Sequence, residues 1–171
     1  MTTLQFETRS IVRNPRIALV LAQWHFDIVK QFRDAFLEEF KAFDGRDVDI
    51  YQVPGAFEIP LLAKQLCSSG DYAGVVACGL VVDGGIYRHE FVASAVIDGL
   101  MRAQMDTGVP VFSGVLTPKD FTSRGRADFF RDHFVVKGRE VAHACAKSLG
   151  IYSELEATQK QQPQAKKKAS L

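Results

Sequence analysis

The chain has 171 residues, of which 47% are apolar and 24% charged, with a formal net charge of +1. That length and balance suit one globular domain with its own core, no apolar window reaches the length of a membrane span, and the near-neutral charge leaves no dedicated nucleic-acid surface. Three cysteines, Cys67, Cys78 and Cys145, form no close pair of the kind that zinc sites or redox dithiols use, and read as reduced core thiols.

In chain order, residues 1–13 read as a loose N-terminal arm in which Leu4, Phe6, Ile11 and Val12 are placed to add an edge strand to another subunit. The first ten residues lack the apolar core of a secretory leader, so a cytoplasmic address is expected. The apolar run Arg16 to Ala22 predicts a first strand, and Ile28, Phe32, Ala35, Phe36 and Phe40 follow at helical spacing, with Asp27 as a capping residue. A second strand spans roughly Val48 to Val53 and stops at Pro54-Gly55. Its helix carries Phe57, Ile59, Leu61, Leu62 and Leu66 and ends at Ser68-Ser69-Gly70. The third strand is read as Gly74 to Val82, with a helix from about Phe91 to Met105, and the fourth as Val109 to Leu116. In the last helical region Phe129, Phe130, Val141, Ala142, Ala144, Cys145 and Leu149 are expected to face the sheet. From Glu156 to Leu171 the chain is polar and lysine-rich, which predicts a disordered tail and leaves 14–155 as the domain.

Alternation of strand and helix predicts an α/β fold, a four-stranded parallel sheet with helices on both faces. The carboxyl edge of such a sheet is where ligands bind. That edge collects Gln23-Trp24-His25, the turn Pro54 to Glu58, the turn Asp83 to His89 and Leu116-Thr117-Pro118. Thirteen phenylalanines on so thin a sheet leave apolar surface for neighbours, so a homo-oligomer is expected.

Each candidate at this edge has a plainer reading beside the functional one. Trp24, the only tryptophan, offers a flat face for a heterocycle or a half-buried core residue. The Ala56-Phe57-Glu58 turn offers backbone amides to a hydroxyl or carbonyl, or simply starts a helix. Gly84-Gly85 with Arg88 suits an anion but is neither a Walker loop nor a dinucleotide fingerprint. His89 is an acid–base candidate because imidazole titrates near neutrality, and a solvated helix-start histidine is the alternative. Lys137, Arg124 and Arg126 are candidate phosphate partners, while His133 and His143 show no metal-ligand spacing.

The runs Val-Pro-Gly-Ala-Phe-Glu-Ile-Pro at 53–60, Cys-Gly-Leu-Val-Val-Asp-Gly-Gly-Ile-Tyr-Arg-His-Glu-Phe-Val at 78–92, Pro-Val-Phe-Ser-Gly-Val-Leu-Thr at 110–117 and Lys-Gly-Arg-Glu-Val-Ala at 137–142 together resemble the lumazine synthases, in order over about residues 16–150. The Asp-Gly-Gly-Ile-Tyr-Arg-His turn is similar to the divergent second type of that family. The resemblance implies a flavodoxin-like three-layer sandwich, no metal or organic cofactor, and a reaction between ribitylaminouracil and butanone phosphate in riboflavin biosynthesis. It also implies self-association into pentamers and on to decamers or a 60-subunit shell, with no nucleic-acid or membrane partner.

Carried over by position, Trp24 matches the aromatic that stacks on the pyrimidine. Ala56, Phe57 and Glu58 match the turn that holds the ribityl chain, and Leu80, Val81 and Val82 the strand end that contacts the uracil. Gly85 and Ile86 fall where phosphate is cradled, without the usual hydroxyl side chains. Ser113 stands where the common form has an aromatic reaching a neighbouring subunit's ligand. Lys137 aligns with a basic residue near the site, and Arg126 lies near the position of the phosphate-binding arginine. The family's proton-transfer histidine aligns with Arg88, with His89 next to it. Two readings follow: His89 moves the protons, or Arg88 binds phosphate and water carries them.

Overall fold

The structure, a computed structural model, describes residues 15–85 and 88–161. Its elements run β1 (Arg16–Ala22), α1 (Phe26–Phe43), β2 (Val48–Val53), a short 3-10 turn (Ala56–Glu58), α2 (Ile59–Ser69), β3 (Tyr72–Leu80), α3 (His89–Thr107), β4 (Val111–Leu116) and α4 (Arg126–Gln161). The four strands form one parallel sheet in the order β2-β1-β3-β4. This is the flavodoxin-like α/β sandwich that the strand–helix alternation and the resemblance imply.

Two-residue periodicity divides the core between the two faces of the sheet. Ile17, Leu19 and Leu21 of β1, with Val76 and Cys78 of β3, pack on α1 and α4 through Phe32, Phe36, Phe40, Phe134 and Cys145. Ala18, Val20 and Ala22, with Val75 and Ala77, pack on α2 and α3 through Ile59, Ala63, Val96 and Leu100. Strands covered on both sides must be apolar at every position, and β1 is buried from Ile17 to Ala22. All three cysteines are buried and unpaired, with burial pushing the Cys145 thiol up to about 12.

Several boundaries differ from the sequence reading. β3 begins at Tyr72 and ends at Leu80, and α3 begins at His89. β4 begins after Pro110, which has no N–H to give a ladder. Asp27 does not cap α1. His25 occupies the N-cap without a side-chain bond, and the Asp27 carboxylate instead meets Arg131 of α4 at 2.8 Å, which holds it below its ordinary value. Phe129 and Ala144 are exposed and do not face the sheet, whereas Phe130, Val141, Ala142, Cys145 and Leu149 are buried. α4 runs on past residue 155 to Gln161, through Glu154, Leu155, Glu156 and Ala157, all good helix formers. The expected arm and the rest of the expected tail, 162–171, lie outside the described residues.

Candidate functional site

In the strand order β2-β1-β3-β4 the chain leaves β1 toward β2 on one side and returns to β3 on the other. The crevice outside the carboxyl ends of β1 and β3 is therefore the switch point, where helices diverge and a ligand can enter. Chain pairing continues just beyond the strand ends and fixes the crevice walls. Gln23 N–H donates to the Val53 carbonyl at 2.9 Å, Trp24 N–H to the Pro54 carbonyl at 3.2 Å, and Val81 N–H to the Leu116 carbonyl at 2.9 Å.

A cavity of about 50 Å³ opens here, walled by Trp24, His25, Ala56, Phe57, Val81 and Val92, with Leu80 and Val82 completing it. Six residues expected from the sequence thus converge: Trp24, Ala56, Phe57, Leu80, Val81 and Val82. His25 and Val92 had been given no role. The signal for His25 was its place beside Trp24 at the end of β1, and that for Val92 its place in the first turn of α3.

Trp24 is 61% exposed, so it is not a core residue of this chain. Its indole edge lies directly over Gly55, where an added Cβ would stand 2.9 Å from Cζ3 and 3.1 Å from Glu58 Oε2. Gly55 N–H in turn donates to Glu58 Oε2 at 2.8 Å, which closes the turn around the start of the 3-10 helix. The glycine is needed here for close approach and not for its dihedrals, since its φ is −133°. Gly55→Ala is expected to push the indole off its seat. Emission from the sole tryptophan should shift, and Tm should fall by only about 2–4 °C, for a contact cost of ~1 kcal/mol. Parental emission from a folded variant would show that the indole does not rest on Gly55.

Around the third turn, Gly85 N–H donates to Asp83 Oδ1 at 2.8 Å and Gly85 takes a φ of 74°. Ile86 lies outside the described residues. Arg88 is exposed at the N-cap of α3, with its guanidinium 4.8 Å from the centre of the Phe91 ring. His89 turns inward and is only 6% exposed, its Nδ1 3.5 Å from Glu90 Oε2. The adjacent pair therefore splits: the arginine faces solvent at the positive end of a helix dipole, and the imidazole is buried behind it.

The remaining candidates lie outside the cavity wall. Arg126 opens α4, donates from Nε to the Asp120 carbonyl at 3.2 Å and covers the Phe129 and Phe130 rings at 4.8 and 5.1 Å. Ser113 is exposed on the edge strand β4, where its Oγ accepts from Val115 N–H at 3.3 Å. Lys137 Nζ pairs with Glu140 one turn along α4. No group of His, Cys, Asp and Glu among the described residues is arranged to hold a metal ion. A larger cavity of about 710 Å³ opens at the opposite, amino edge, lined in part by Arg46, Tyr72, Pro110 and Tyr152, and contains none of the candidate site residues.

A parallel α/β sandwich with an exposed indole, a helix-start turn and an apolar strand end around its switch point has the layout in which α/β folds bind small ligands. The sequence profile of the 6,7-dimethyl-8-ribityllumazine synthases matches residues 14–152, and the chain belongs to that family. It is 55% identical over 135 residues to 6,7-dimethyl-8-ribityllumazine synthase 2 of Bradyrhizobium diazoefficiens, covering 78% of this chain and 82% of that one. The 6,7-dimethyl-8-ribityllumazine synthase of Rhodococcus erythropolis is 54% identical over 138 residues, 79% of this chain and 89% of the relative. Synthase 2 of Pseudomonas syringae pv. tomato is 50% identical over 155 residues, 89% and 91% of the two chains.

Proposed function

We propose that the protein condenses 5-amino-6-(D-ribitylamino)uracil with 3,4-dihydroxy-2-butanone 4-phosphate to 6,7-dimethyl-8-ribityllumazine, releasing phosphate and water. The observation that carries this reading is the convergence of Trp24, the Ala56–Phe57 turn and Leu80 to Val82 on one crevice at the sheet's switch point. Trp24 stacks on the pyrimidine, the 56–58 turn holds the ribityl hydroxyls, and the strand end meets the uracil edge. The exocyclic amine attacks the ketone to give an imine, phosphate leaves, and the ribitylamino nitrogen closes the second ring.

Phosphate departs toward Gly85, Ile86 and the amino end of α3, where helix dipole and amides favour an anion. Arg88 is the exposed cation at that helix start and Arg126 the half-buried one at the start of α4, and we assign the anion to them. Proton movement falls to His89 or to water beside Arg88. Holding both substrates in one geometry supplies much of the acceleration in either case.

A cavity of about 50 Å³ is too small for a ribityl-bearing pyrimidine, since small-molecule sites enclose roughly 300–1,000 Å³. A second copy that completes the site accounts for this. Phe57, Leu61, Phe91, Ile97, Met101 and Met105 are exposed along the turn, α2 and α3, the kind of apolar surface that marks an interface. Pentamers, paired into decamers, are the assembly assigned here, with Ser113 and Lys137 contributing from the surfaces they occupy on β4 and α4. Unpaired thiols fit the reducing cytoplasm, and no helix among the described residues is long and apolar enough to cross a membrane.

The test mixes purified protein with both substrates and follows lumazine absorbance together with inorganic phosphate. Equal amounts of product and phosphate, formed faster than in the spontaneous reaction, are expected. Ligand binding without acceleration would replace the synthase with a lumazine- or flavin-binding protein on the same scaffold.

A further inference from the structure

His25 is the only described residue other than glycine with a positive φ, at φ 56° and ψ 39°. An L side chain in this left-handed region is disfavoured and persists only where the surroundings hold it. Here they do so from both ends. The His25 carbonyl accepts the Ile28 and Val29 N–H groups at 2.9 and 3.0 Å, which starts α1, and the preceding Trp24 N–H is tied to the Pro54 carbonyl. The imidazole stands edge-on to the Phe121 ring, centroids 5.3 Å apart at 71°, and forms part of the crevice wall.

β1 and α1 are both anchored in the core, through Leu21 on one side and Ile28 and Val29 on the other. The chain must therefore turn sharply between them, and the left-handed residue is where it turns. With its two flanks fixed, a change in that dihedral displaces the adjoining Trp24, which is exposed and has no seat in the core. We infer that His25 is a positioning residue: its left-handed backbone holds the Trp24 indole against Gly55, and Phe121 braces the ring that holds the backbone. This goes beyond the synthase reading while resting on it for the role of Trp24 as the pyrimidine's stacking face.

Three substitutions separate backbone from side chain. His25→Ala removes the ring and keeps a Cβ that disfavours the left-handed region, whereas His25→Gly and His25→Asn remove the ring but adopt that region readily. Emission of the single tryptophan in ligand-free protein is expected to shift in His25→Ala and to stay near the parent's in His25→Gly and His25→Asn. With both substrates, KM for the pyrimidine should rise about tenfold in His25→Ala, as for a lost stacking contact, with kcat little changed. His25→Gly and His25→Asn should recover most of that loss.

Parental emission and KM in His25→Ala would overturn the inference. So would His25→Gly and His25→Asn behaving as badly as His25→Ala, or a fall confined to kcat in all three, because each would assign the effect to the imidazole and not to the turn. If His25→Ala does not fold, the comparison of parent with His25→Asn decides alone: altered emission overturns the inference and parental emission upholds it. A parent that makes no lumazine would sink the synthase reading, yet the ligand-free emission series would still test the turn.

Discussion

Gly138→Ala is expected to lower Tm by about 4–8 °C, although alanine is the better helix former. Gly138 lies in α4 where it crosses α1, and a Cβ there would come 2.5 Å from the Phe32 carbonyl oxygen and 3.1 Å from both Ala35 Cβ and Phe36 N. These neighbours include backbone of a helix whose Phe32, Phe36 and Phe40 are wholly buried, so no side-chain rotation relieves the contact. Overpacking of this kind costs roughly 1–3 kcal/mol, and against rigid backbone the upper value applies. Higher helix propensity returns ~1 kcal/mol. The net loss of ~2 kcal/mol converts to the stated shift at about 2–4 °C per kcal/mol for a domain of this size. Gly150 provides an internal control: it is in the same helix with nothing within 4 Å of a would-be Cβ. Gly150→Ala should raise stability by ~0.5–1 kcal/mol, so one substitution in one helix gives opposite signs. Equal shifts for the two variants, in thermal melts at one protein concentration, would mean that α1 and α4 do not approach as closely as this.

The same glycine shows where the sequence was legible and where it was not. Strand and helix order followed from hydrophobic period alone, because β1 and β3 are apolar at nearly every position and α1 repeats Ile28, Phe32, Phe36 and Phe40 on one face. In the run from Lys137 to Ala142 a charged side chain draws attention first, yet Lys137 is spent on Glu140 and the residue that geometry requires is Gly138. A close approach between two helices leaves no mark on periodicity. Asp27 failed as a cap for a related reason. The left-handed His25 had already turned the chain into α1, which left the carboxylate free for Arg131, 104 positions away. The sequence offers Arg88 as an anion partner and His89 as an acid–base group or a solvated histidine, and only the start of α3 at His89 decides that the histidine is buried and the arginine exposed. Trp24, Ala56, Phe57 and Leu80 to Val82 were legible as a site because each follows the end of a strand or opens a helix, and parallel topology brings all such positions to one edge.

Trp24→Ala is expected to weaken binding of the ribitylaminouracil by about 10–100-fold, because a base-sized heterocycle stacked on an aromatic side chain is worth ~1–3 kcal/mol. Stability should change little within the subunit, since the indole is 61% exposed and rests mainly on Gly55. Stacking is made equally with the bound pyrimidine and with the reacting one. KM for the pyrimidine should therefore carry the loss while kcat and KM for the phosphate-bearing partner stay close to the parent's. Trp24→Phe, which keeps a smaller aromatic face, should lose only a small part of the affinity. The competing role for an exposed indole beside Phe57 is that of an anchor between subunits, where tryptophan is often a hot spot. That role predicts a different pattern: Trp24→Ala would shift the sedimentation coefficient toward smaller species, and affinity would fall only as the assembly came apart. Intact assemblies with weakened pyrimidine binding would assign Trp24 to the substrate, and dissociated ones with normal affinity per remaining assembly would assign it to the interface.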